Sequence, residues 1–199
     1  FVDIYNKTWS WVSSLWVNPE TGEQDSEGLF IYPEDGKLIL NQFESIFSSF
    51  FLVYSNRNFD PCYNIDYFYA RQEESGAIRW KYDVKTNQPV LDKSNPEGVG
   101  LPLFAMAEFN LFHKSANKKR IKDVMPYLQK YMDWLDATFK KENGLYSVPV
   151  AASSMTNSPR NGAYYPIDFN ACMAINASYM SALGDILNDK DISFQYRKM

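Results

Sequence analysis

The sequence predicts an all-α domain assembled from helical hairpins, and three observations carry that prediction. Apolar residues recur at spacings of three and four along most of the chain, the signature of amphipathic helices. Turn signals punctuate those stretches, as in N-P-E-T-G at 18–22 and K-T-N-Q-P at 85–89. No succession of alternating apolar and polar segments exists that could build a sheet of any size.

The elements follow in order. Tyr5, Trp9, Val12 and Trp16 mark one face of a first helix, closed by the turn at 18–22. Phe43, Ile46, Phe47, Phe50, Phe51 and Tyr54 repeat the pattern in a very apolar second helix. A shorter third runs through Ile65 to Gln72 and stops near Gly76. A-I-R-W-K-Y-D-V, from Ala77, suits a short hairpin arm turning at K-T-N-Q-P, and N-P-E-G-V-G-L-P leads into a fourth helix, Leu103 to Lys114. The fifth carries Ile121, Val124, Met125, Leu128, Met132, Leu135 and Phe139. Pro126 is placed in its first turn, where a missing N–H costs little, and Gly144 is its expected C-cap. The sixth opens with Asp168 as expected N-cap and runs to about Leu187, with Ala171, Ala174, Ala177, Ser178, Ser181 and Ala182 permitting close approach by neighbours. A seventh begins at Asp191, and the chain stops inside it. That end, after helical hairpins joined alternately by turns and long loops, leads to the expectation of one domain over 1–199 that is part of a larger toroid.

Composition narrows the function. A chain of 199 residues suits one domain with a sizeable core. A net charge of -4 provides no electrostatic footprint for nucleic acid or an anionic membrane, and no apolar run approaches the roughly 18 residues that span a bilayer. Cys62 and Cys172, without C-x-x-C spacing, imply neither a disulfide framework nor a zinc site. His113 is the only histidine and reads as a surface or capping residue near a helix end, which removes internal His-based triads and His-rich metal sites. The chain starts at Phe1 without a signal peptide, leaving room for a removed or omitted leader. Its compartment stays open, with a periplasmic or secreted location favoured over a cytoplasmic one. Aromatic residues make up 17% of the chain; most are expected to fill a helical core, although sugar-binding clefts use such rings too.

Four stretches together resemble the (α/α)6-barrel glycoside hydrolases, specifically the trehalase and glycoside hydrolase family 63 group, with a likeness to mannosylglycerate hydrolase-like domains. They are Q-E-E-S-G-A-I-R at 72–79, L-P-L-F-A-M-A-E-F at 101–109 with E-N-G-L-Y at 142–146, S-S-M-T-N-S-P-R at 153–160, and P-I-D-F-N-A at 166–171. The third is similar to the family's S-G-M-D-N-S-P-R loop and the fourth to V-D-L-N-A. N-S-P-R and D-F-N-A at their separation are the specific part, and the likeness covers most of 40–190.

The resemblance implies an (α/α)6 toroid and inverting hydrolysis of an α-linked gluco- or manno-configured saccharide, with no cofactor. It also exposes departures. Thr156 stands where the family has its general acid, and a hydroxyl does not hold a transferable proton as a carboxyl of raised pKa does. The family's general base is a Glu late in the barrel, beyond the part that this chain matches, so neither carboxyl group that an inverting enzyme needs is identified. Asn41, in L-N-Q-F, stands where the family places a sugar-contacting Asp.

Arg160 matches the family's pocket arginine and serves either a sugar hydroxyl or a loop-stabilising ion pair. Asn157 matches the Asn beside the acid, or is a turn residue. Asp168 matches the family Asp yet reads first as an N-cap, while remaining a carboxylate that could replace the lost acid. Trp80 either stacks on a sugar at the cleft rim or packs in the hairpin arm. Glu44, Glu108, Asp133 and Asp136 are expected on solvated helix faces. The alternative function is a catalytically silent sugar-binding or scaffold domain of the same fold. Epimerase chemistry, also hosted by helical toroids, is disfavoured by the scarcity of histidine. The expected partner is a saccharide, with no nucleic acid and no membrane span, and with self-association if the barrel is incomplete.

Overall fold

A computed structural model describes residues 1–25, 28–31, 36–55, 59–155, 157–159 and 162–199. The fold is mainly helical, with α1 (Val2–Ser14), α2 (Gln42–Leu52), α3 (Tyr63–Tyr69), α4 (Phe104–Ser115), α5 (Lys118–Phe139), α6 (Ile167–Leu187) and α7 (Lys190–Arg197). Among the described residues, five short strands accompany the helices. β1 (Trp16–Val17) pairs with β2 (Leu29–Phe30), and β3 (Ile39–Asn41), β4 (Lys81–Asp83) and β5 (Gln88–Pro89) form an antiparallel sheet in that order. The expected hairpin arm is therefore β4–β5, and β3 joins it by pairing Leu40 with Tyr82.

Local chemistry sets the helix ends. Asn41, Asn117 and Asp189 cap α2, α5 and α7 by accepting from backbone N–H groups of the first turn. Ala116 and Asn188 end α4 and α6 in the left-handed conformation, so that α5 and α7 begin two residues later. Such short links make α4–α5 and α6–α7 neighbours. α4 also packs against α2 and α6, so α2, α4 and α6 form a row with α3, α5 and α7 beside it.

The core is aromatic as well as aliphatic. Phe68, Phe104 and Tyr131 are fully buried and meet at ring-centre distances of 5.8 Å (Phe68–Phe104) and 5.6 Å (Phe104–Tyr131). Buried Asn176 ties α6 to the start of α4 by accepting from Ala105 N at 3.1 Å. Asn64 both accepts from Phe30 N and donates to Phe30 O, pairing as a strand residue would.

Several expectations need correction. Trp16 opens β1 instead of extending the first helix, and of α1 only Val12 is buried. α3 ends at Tyr69, before Gln72. Pro126 lies well inside α5, where the buried stripe of Ile121, Val124, Met125 and Leu128 outweighs a cost of about 3 kcal/mol for interior proline. Gly144, at φ 82, is not the C-cap; it turns the chain between bridged Lys140 and Tyr146. In α2 the buried face holds Gln42, Ser45, Ile46, Ser48, Ser49 and Leu52, whereas Phe43, Phe47 and Phe51 are 46%, 40% and 41% exposed. Small serines let α2 lie close to its neighbours, which turns the phenylalanines towards a groove against Trp11 and Leu15 of the first segment. No described helix is long and apolar enough to cross a membrane.

Candidate functional site

Four chain segments converge on one cavity of ≈ 190 Å³. The first is the start of α2. Asn41 Oδ1 accepts from Phe43 N at 2.9 Å, which fixes Asn41 at the cavity wall beside Gln42 and Phe43. The second is Trp80. Its carbonyl accepts from Gln42 N at 2.7 Å, its own N–H donates to Gly98 O at 2.6 Å, and indole Nε1 donates to Val90 O at 3.0 Å. Lys81 Nζ stands 5.1 Å from the centre of the indole ring, so a cation already lies over that aromatic group. The third segment is Gly100–Leu101, and the fourth is Ala151–Ser154, the end of a 3₁₀ turn and the residues after it.

Asp168 governs that fourth wall from below. Its carboxylate accepts from Ser153 Oγ at 2.9 and 3.0 Å, Ser154 N at 2.5 Å and Ser154 Oγ at 2.9 Å. Burial alone raises its pKa, but the hydrogen bonds from Ser154, Ser153 and Phe169 together hold it below the ordinary value. Asp168 is also not the N-cap expected of it. Pro166 occupies that position and Asp168 sits in the first turn, where negative charge suits the helix dipole. Two residues on, Asn170 accepts from Tyr146 N at 2.8 Å and donates to Tyr146 O at 3.0 Å. D-F-N therefore clamps two loops to the head of α6.

The cavity lining is uncharged, with amides from Asn41 and Gln42, hydroxyls from Ser153 and Ser154, and rings from Phe43 and Trp80. Such a surface offers hydrogen bonds and apolar faces to a neutral polar ligand and nothing to balance an ionic one. Its volume is below the roughly 300–1,000 Å³ of drug-sized pockets, so it suits a single ring.

Asn41 and Trp80 thus meet at one cavity, with Asp168 acting through Ser153 and Ser154. Asn157 is exposed and not part of the lining. Thr156 and Arg160 lie outside the described residues.

A larger cavity of ≈ 550 Å³ opens at Asp60, Cys62, Asp66, Lys119 and Arg120, but both its cations are engaged internally, Lys119 by Asp123 at 2.7 Å. Arg120 donates to Asp66 at 2.9 and 3.2 Å and to Glu108 at 2.8 Å from each of two nitrogens. Glu108, expected on a solvated face, is 0% exposed. Its signal was present in the sequence: Phe104, Glu108 and Leu111 follow the four–three spacing of a buried stripe. Gln42, equally unforeseen, carried no such signal. Asp133 is exposed, as expected, while Asp136 accepts from Tyr146 OH and Lys140.

No family model matches the chain, and no solved structure matches it. The chain is similar to an uncharacterized protein of Borreliella burgdorferi, 47% identical over 199 residues that cover 100% of this chain and 41% of that protein. It therefore spans about two-fifths of the length of the curated relative it matches.

Proposed function

We propose that the cavity is a saccharide subsite within a glycoside hydrolase-like (α/α)6 domain acting on α-linked gluco- or manno-configured sugars. One observation carries the reading. Asn41, Trp80, Leu101 and Ser153–Ser154, drawn from or adjoining the segments that resemble that family, are distant in sequence yet line the same uncharged cavity. The row of α2, α4 and α6 with α3, α5 and α7 beside it is compatible with the two walls of such a toroid.

Inverting hydrolysis would need an acid that holds its proton near neutral pH. Asp168 has the opposite tendency, with a depressed pKa and its oxygens occupied by Ser153 and Ser154. That favours binding over cleavage for the described residues, and any acid acting at this site is a group other than Asp168.

Calorimetry with trehalose, maltose and α-1,2-mannobiose, beside a reducing-sugar assay on the same three, tests this. Binding without release is expected; Thr156→Asp restores the acid alone and is expected to gain release only in a longer protein that also supplies the general base. Release by the native protein that disappears in Asp168→Asn would reverse the assignment of Asp168. Absence of binding to all three sugars would remove the saccharide reading.

A further inference from the structure

We infer that Gln42 is the residue through which this cavity reads its ligand, its Oε1 accepting a hydrogen bond from a ligand hydroxyl. The inference rests on the saccharide reading and adds to it the contacting atom and the group contacted.

Gln42 is 1% exposed and lines the cavity. Its amide orientation is not arbitrary. Nε2 donates to the Leu101 carbonyl at 3.0 Å and reaches Tyr131 OH at 3.5 Å. A flipped amide would set oxygen against the Leu101 carbonyl oxygen, so Nε2 must face Leu101. That leaves Oε1 on the other side, where no described group donates to it. A buried carbonyl oxygen without a donor is costly, and such orphans call for a partner from outside the chain.

Gly100 marks the wall against which Oε1 lies. A Cβ at position 100 would collide with the Gln42 amide and press on Trp80 Cβ at 3.1 Å. The absence of a side chain there makes room for Oε1 itself, and Gly100 is part of the same cavity lining as Gln42.

The atom type narrows the ligand. An amide oxygen only accepts, so the ligand atom meeting it carries hydrogen. Hydroxyls satisfy this, whereas a carboxylate or phosphate oxygen would meet Oε1 lone pair to lone pair. A site built around such an acceptor discriminates strongly against an analogue lacking the donor. Trp80 and Phe43 in the same lining supply apolar surface for the C–H face of a sugar ring.

The test compares trehalose, maltose and α-1,2-mannobiose by calorimetry, then the monodeoxy series of whichever binds most tightly. One deoxy position is expected to lose about tenfold or more in affinity. Gln42→Met, which keeps the length but removes the acceptor, is expected to bind the parent sugar about tenfold more weakly and no longer to distinguish it from that deoxy analogue. Circular dichroism and the melting temperature check that the variant folds. If it does not, the deoxy series on the native protein decides alone. A flat deoxy series, as an ordered water on Oε1 would produce, overturns the role of Gln42 and leaves saccharide binding standing. So does a folded Gln42→Met that binds as the native protein does. Failure of the native protein to bind any of the three sugars removes the saccharide reading and this inference with it.

Discussion

Arg120 grips the carboxylate of Glu108 through Nε and Nη2, each at 2.8 Å, although Glu108 has no solvent exposure. Tyr69 OH donates to the same carboxylate at 3.0 Å, and Asp66 accepts from the remaining side of the guanidinium. One network therefore joins α3, α4 and α5. Burial raises the Glu108 pKa above its ordinary 4.5, with Arg120 and Tyr69 opposing.

Arg120→Met should lose about 3–5 kcal/mol in urea denaturation, because it strands a buried carboxylate. The pH dependence has a definite sign. A carboxyl whose folded pKa is raised binds its proton more tightly folded than unfolded, so the folded state is favoured below 4.5 and loses that advantage as pH rises through the folded value. Denaturation midpoints of the variant should fall more steeply than those of the native protein between pH 4.5 and neutrality.

Asp168 should behave in the opposite way. Its folded pKa lies below the ordinary 3.8, so its contribution is present above that value and is lost as pH falls through the folded pKa. Native protein should lose stability relative to Asp168→Asn on acidification below pH 3.8. At neutral pH the same variant should release the wall at Ser153–Ser154 and weaken sugar binding, read by calorimetry.

Gly76→Ala should be among the most damaging single-methyl additions. Gly76 has φ +95, and a Cβ there would run into the Lys130 backbone carbonyl of α5. Gln72 Nε2 also spans Gly76 O and Tyr127 O, so the turn is held against that helix at 3.0 and 2.9 Å. A loss of about 2 kcal/mol or more is expected in thermal melts.

Cys62 should react slowly with thiol reagents. Burial pushes its thiol up to about 12, Arg120 works against that, and Asp60, Glu108 and Asp66 add to it. Cys172 is raised to about 11, chiefly by burial. At pH 8 both should label with iodoacetamide far more slowly in the native state than in urea, and removing Arg120 should slow Cys62 further if the fold survives.

Legibility in the sequence was uneven. α4 and α6 fall within a residue or so of their expected limits, and the short arm at 81–89 turns where K-T-N-Q-P said it would. Asn41 and Trp80 were named as site residues and share a cavity. Asp168 reads from the sequence first as a cap and also as a substitute acid or sugar contact, whereas its oxygens reach back to Ser153 and Ser154. A side chain's reach across 14 or 15 residues of loop leaves no trace in local spacing.

The sequence by itself determined that the chain is mainly helical, where several of its turns fall, and that its net charge is -4. Spacing along a helix and turn chemistry are local properties, and they survive without knowledge of neighbours. Only the tertiary structure decided which face of α2 is buried, that Glu108 is paired internally, and that buried Gln42 Oε1 meets no donor among the described residues. In each case the outcome depends on what arrives from far along the chain. Neighbouring helices come close enough to want serine, Arg120 reaches Glu108 from the next helix, and Leu101, 59 residues on, turns the amide of Gln42.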